Sequence, residues 1–166
     1  MPVETRVDRS LLLEFFLTFS RFEYALKASG LFVRHPQTDP SRPAAAEPDW
    51  DSFAASLRDV FKLDRTDSLR RACEYILESP PWKQVIIDGA VAWETPVRPA
   101  NESEVEFLLR MVRCVRNNLF HGGKHNIEVH EDTERTESLL RSSLAILREC
   151  LALAPRVKQA FDEAAI

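Results

Sequence analysis

An all-α bundle of about five to six helices, with one small β-hairpin near residues 84–95, is the fold that this 166-residue sequence predicts. Three observations carry that expectation. Glycine occurs only at Gly30, Gly89, Gly122 and Gly123, each at the end of an apolar-periodic segment, and long stretches without Gly or Pro are what helices require. Within those stretches the apolar residues recur at helical spacing. The composition, 45% hydrophobic and 29% charged, is that of a globular chain. A single domain over residues 1–166 suits this length, and such a chain buries roughly 70% of its unfolded surface without metal or disulfide staples.

The elements follow in order. Asp8 to Ser29 reads as a helix closed by Gly30, with Leu12, Phe15, Phe16, Phe19, Phe22 and Leu26 on its buried face and Glu14, Thr18 and Arg21 on the solvated side. Residues 34–49 hold Pro36, Pro40, Pro43 and Pro48, a density that prevents a regular helix and predicts a surface loop. Asp49 or Asp51 then caps a shorter helix with Phe53, Leu57, Val60 and Phe61 as its stripe. Asp67 or Ser68 caps another, carrying Leu69, Ala72, Cys73, Ile76 and Leu77 and ended by Pro80-Pro81. Between Gln84 and Thr95, two short β-prone runs flank Asp88-Gly89, the pair that favours a type I′ turn. Asn101 or Ser103 opens the next helix, which runs through Leu108, Met111, Val112, Val115 and Leu119 to Gly122-Gly123. A last long helix starts near Glu131 and runs through Leu153, and Pro155 starts a short one.

Composition narrows the function classes. The longest apolar stretch, Leu11 to Phe19, is broken by Glu14 and Thr18 and falls short of the ~18 residues of a membrane span. The first residues, Met1 to Arg6, lack the basic-then-apolar build of a signal peptide, so a cytoplasmic protein is expected. A formal net charge of −4, from 22 Lys+Arg against 26 Asp+Glu, gives no long-range attraction for nucleic acid, and any such contact needs a local basic patch. Cys73, Cys114 and Cys150 are dispersed and odd in number, which suits free thiols.

Such a patch lies in Arg110 to Asn126, R-M-V-R-C-V-R-N-N-L-F-H-G-G-K-H-N, which contains no acidic residue. Arg110, Arg113 and Asn117 share one helical spacing, and Arg113, Asn117 and His121 another, so both sets fit one helix face able to hold phosphate. Cations near a helix C-terminus and a Gly-Gly stop also occur for stability alone. His121, His125 and His130 with Glu128 and Glu131 sketch a divalent site. Gly122-Gly123 interrupts the helix that would align the first two histidines, so no metal and no cofactor is expected. Lys83 and Lys124 are basic residues within reach of a phosphate, although solvated lysines explain them better. Trp50, Trp82 and Trp93 read as packing anchors.

Arg116-Asn117-Asn118-Leu119-Phe120-His121-Gly122 resembles the R-x4-6-H motif of the HEPN superfamily, the nucleotide-binding domain of higher eukaryotes and prokaryotes. Arg21 to Lys27 is similar to the first helix of its small plasmid- and prophage-borne members. The resemblance implies a helical bundle with the motif on its penultimate long helix. It also implies a metal-independent endoribonuclease of the toxin–antitoxin or anti-phage and anti-plasmid defence type. That enzyme would be a homodimer whose two motifs line one cleft, paired with a nucleotidyltransferase-type antitoxin. Arg116 would hold the phosphate of an RNA substrate and His121 would act as general base and acid, with Asn117, Asn118, Arg113 and Lys124 in support. The alternative is a HEPN-like dimeric module that binds RNA, nucleotide or protein without cutting.

Two points stay open at the level of sequence. Five residues along a straight helix place Arg116 and His121 about 140° apart, so either the helix loosens before His121 or the acting pair comes from two subunits. Glu23 and Lys27 form an i, i+4 ion pair at the rim of the first helix, or Glu23 reaches the motif helix and orients Arg116 or His121.

Overall fold

In the computed structural model, which describes residues 6–35, 41–120 and 133–164, the first four helices begin at a side chain able to take up a free backbone N–H and the last at a proline. α1 (Arg9–Ala28) starts where Asp8 accepts from the Ser10 N–H, and it ends at Ser29, with Gly30 in the left-handed region at φ 71°. α2 (Trp50–Ser56) is capped by Asp49, whose carboxylate accepts from both the backbone and the hydroxyl of Ser52. Those two bonds hold the Asp49 carboxyl below the usual carboxylate range. α3 (Asp67–Glu78) is capped by Thr66 rather than by Asp67 or Ser68, because the Thr66 hydroxyl reaches the Leu69 N–H at 3.1 Å.

α4 (Glu104–Phe120) opens with a reciprocal capping box. The Ser103 N–H donates to Glu106 at 2.9 Å while the Ser103 hydroxyl faces the Glu106 N–H at 3.4 Å. α5 (Thr133–Ala152) and α6 (Pro155–Glu163) complete six helices among the described residues, with Pro155 at the first turn of α6.

α5 is the axis of the bundle and packs against α1, α3, α4 and α6. Its Leu140, Ile146 and Leu147 are fully buried beside Phe15, Phe22 and Leu26 of α1 and Leu108 and Val112 of α4. Cys73 and Cys150 are part of this core as free thiols, and burial pushes the Cys73 thiol up to about 12. No helix of the described residues is long and apolar enough to cross a membrane.

The buried stripe of α1 differs in detail from the expected one. Leu11 is buried and Phe16 is 43% exposed, because Phe16 turns toward the end of α4 and its ring lies 5.4 Å from that of Phe120. Arg21, expected in solvent, reaches α6, donating to the Asp162 carbonyl at 3.0 Å with its guanidinium over the Phe161 ring. In the stripe after α2, Leu57 and Phe61 are buried but Val60 faces out.

Two small antiparallel ribbons decorate the helices. β3 (Lys83–Ile87) pairs with β4 (Ala90–Glu94) around Asp88 and Gly89, both at positive φ as a type I′ turn demands. β1 (Val33–Arg34) pairs with β2 (Glu47–Pro48), so the two ends of the proline-rich 34–49 stretch are tied together rather than forming a simple loop. The base of the β3–β4 hairpin is anchored to α5 through Arg135, which donates to the Pro80 carbonyl at 2.8 Å with its guanidinium over the Trp82 ring. That anchoring lays β3 alongside α4, where the basic patch lies.

Candidate functional site

The last turns of α4 carry the patch, and its cations differ in how they are engaged. Arg110 is committed to a two-bond ion pair: Nε and Nη2 donate to the two Glu102 oxygens at 2.8 Å each, and Nη2 also donates to the Val97 carbonyl. It therefore pins the chain entering α4. Arg113 has one carboxylate contact, to Asp51 at 3.4 Å, and Asp51 is itself held by Arg34 at 2.9 Å. The sequence segment contains no acid, yet the fold brings Glu102 and Asp51 against it. The patch is thus not acid-free in three dimensions.

Arg116 is held in a different way. Among the described residues it has no carboxylate partner. Its Nη1 donates to the Asn117 side-chain carbonyl at 3.0 Å, and its guanidinium carbon lies 5.0 Å from the Phe120 ring centroid and 5.8 Å from that of Phe19. Ring faces attract a guanidinium without neutralising it. Arg116 therefore keeps its charge and most of its five N–H donors while its direction is fixed.

Asn118 does not join it. Its amide donates to the Trp82 carbonyl at 2.7 Å, and the Cys114 thiol, also facing that carbonyl, is pushed up by burial. Asn118 is accordingly a strut that ties α4 to the base of β3. Among the described residues Glu23 pairs with neither Lys27 nor Arg116. Its carboxylate accepts from the Trp50 indole N–H at 3.1 Å, and Trp50 is buried against Phe22, their rings stacked 5.2 Å apart. Glu23 thus acts on the patch only at one remove, by fixing Trp50 beside Asp51, which contacts Arg113. Lys27 sits half-exposed in the last turn of α1, where it suits the helix dipole. His121, Lys124, His125 and His130 lie outside the described residues. Among those described, no three His, Cys, Asp or Glu side chains converge as metal ligands.

A cavity of 420 Å³ opens between α4 and β3. Lys83 and Gln84 face Arg110, Arg113, Asn117 and Asn118 across it, and none of its lining residues is acidic. The i, i+3, i+7 spacing of Arg110, Arg113 and Asn117 does place all three on this one face. Lys83 was singled out in the sequence only as a lone basic residue and Gln84 not at all, because a strand residue carries no periodic link to a helix that begins some twenty residues later. Neither a protein-family model, nor a curated protein, nor a solved structure matches the chain.

Proposed function

We propose that the protein is a metal-independent endoribonuclease of the toxin–antitoxin or defence type, in which Arg116 binds the scissile phosphate and His121 moves the proton. The observation that carries this reading is the posture of Arg116, a cation aimed by two aromatic rings and an amide and quenched by no carboxylate among the described residues. A guanidinium so placed can hold two non-bridging phosphate oxygens and stabilise the charge that grows on them during reaction.

The chemistry then asks one further group of the chain. Neutral His121 takes the proton of the ribose 2′-hydroxyl, and the oxygen attacks the adjacent phosphorus. The bond to the 5′-oxygen breaks, and that oxygen leaves with a proton. Products are a 2′,3′-cyclic phosphate and a 5′-hydroxyl. An exposed apolar strip beside Arg116, formed by Leu13, Phe16 and Leu17 of α1 and Phe120 of α4, supports a homodimer joined at this face.

A second reading has observations of its own. The net charge of −4, with Glu102 and Asp51 engaging Arg110 and Arg113, favours a HEPN-like module that binds RNA, nucleotide or a protein partner without cutting it. Incubating purified protein with a mixed RNA pool in EDTA separates the two. The enzyme leaves cyclic-phosphate ends, and His121→Ala or Arg116→Ala lowers the rate by about 10²–10³-fold at unchanged melting temperature. Folded wild type that binds RNA and leaves it intact favours the module.

A further inference from the structure

The cavity between α4 and β3 is built for a ligand with negative charge and hydrogen-bonding edges. Its 420 Å³ lies within the range of small-ligand sites. Arg110 is spent on Glu102, so the available cations are Lys83, which has no ion pair among the described residues, and Arg113, whose contact with an already-bridged Asp51 leaves most of its donors unused. Two amides complete the lining: Gln84, and Asn117, whose carbonyl accepts from Arg116 and whose NH₂ remains to donate. Asn117 is therefore shared. It touches Arg116 on one side and lines the cavity on the other, which makes the two sites contiguous.

We propose that this cavity is a subsite for one nucleotide of a single-stranded RNA, the neighbour of the phosphate at Arg116, with Lys83 and Arg113 on its phosphate and the Gln84 and Asn117 amides on its base edge. The proposal rests on Arg116 being the phosphate-binding group. Lys83 thereby passes from a solvated lysine to a substrate contact, and Gln84 becomes the residue that reads the base. Amides suit that task because Gln84 offers both a donor and an acceptor to a base edge and Asn117 adds a donor.

The test uses the whole chain and a fluorescein-labelled 2′-O-methyl hexanucleotide, which lacks the attacking hydroxyl and stays intact. Lys83→Ala should weaken its binding about tenfold and lower the salt slope by about one, as loss of one phosphate contact does. Gln84→Ala should weaken binding with the slope unchanged, and Lys62→Ala, a surface lysine elsewhere, should change neither. Cys114 supplies a second readout. It lines the cavity, whereas Cys73 and Cys150 are fully buried, so the bound hexanucleotide should slow alkylation of Cys114 alone by several-fold.

Binding that depends on Arg116 yet ignores Lys83 and leaves Cys114 unprotected would overturn the subsite while sparing the phosphate site. Protection of Cys114 by a free mononucleotide as strong as that by the hexanucleotide, and unaffected by Arg116→Ala, would overturn the strand assignment in favour of a separate nucleotide site. Folded wild type that binds no hexanucleotide would overturn both readings.

Discussion

The Glu23–Trp50 hydrogen bond shows how a single contact decides between roles that spacing alone leaves open. A carboxylate on α1 had Lys27 one turn away as its nearest expected partner, and helical periodicity can name only partners on the same helix. Trp50 is 27 positions further along the chain and enters because the stretch after α1 folds back to lay the indole on Phe19 and Phe22. Replacing Glu23 with Ala should leave the Trp50 N–H without its acceptor and cost about 1–3 kcal/mol in denaturant unfolding. Glu23→Gln, which keeps an acceptor, should recover most of that loss. RNA cleavage at a temperature where both variants are folded should stay close to wild type, since Glu23 does not touch Arg116. A large fall in rate for folded Glu23→Gln would instead restore the orienting role that the sequence suggested.

At the scale of elements, the legible features were those governed by local chemistry. The Pro155 start, the Gly30 stop and the Asp88-Gly89 turn appear where short-range rules place them, and of the two candidate caps Asp49 and Asp51 the fold uses Asp49. Pairing across distance was not legible. β1 and β2 are two residues each on either side of a proline-rich segment, too short to show alternation, and Phe16 left the buried stripe for an aromatic partner on α4. The α4 start was half legible: Ser103 was one of two candidates, and the capping box with Glu106 selects it. Arg58, donating at 2.9 Å, is the main reason that the Glu106 carboxyl falls from its usual 4.5 to about 2, with the Ser103 bonds contributing. A carboxyl held low in the folded state stabilises it above the unfolded value and loses that effect as pH falls through the folded one. Glu106→Gln should therefore unfold more easily than wild type at pH 7, by about 1 kcal/mol. The two melting curves should converge between pH 4.5 and about pH 2. A gap that persists at the acid end would assign the difference to packing rather than to the charge.

At the scale of the whole molecule, the proposed ribonuclease would have to present Arg116 and His121 to one phosphate although about 140° of rotation separates them on a straight helix. The exposed strip next to Arg116 offers an answer. Leu13, Phe16 and Leu17 follow helical spacing along α1, and Phe120, 49% exposed, extends them onto α4. A two-fold axis through this face would bury the strip and set each Arg116 against the motif of the other subunit, so that one arginine and the opposite histidine form each site. Phe16→Asp should then convert a dimer to a monomer in sedimentation and abolish cleavage with the fold intact. Mixing gives the sharper outcome. Arg116→Ala and His121→Ala homodimers each have two dead sites, whereas a mixed dimer has one site with both residues intact and one with neither. After full subunit exchange at equal concentrations, half the dimers are mixed and half of their sites are intact. Activity should therefore rise from background to about a quarter of wild type. Zero recovery with exchange verified by mass would place both residues of each site on one chain, and α4 would then have to loosen between Phe120 and Gly122.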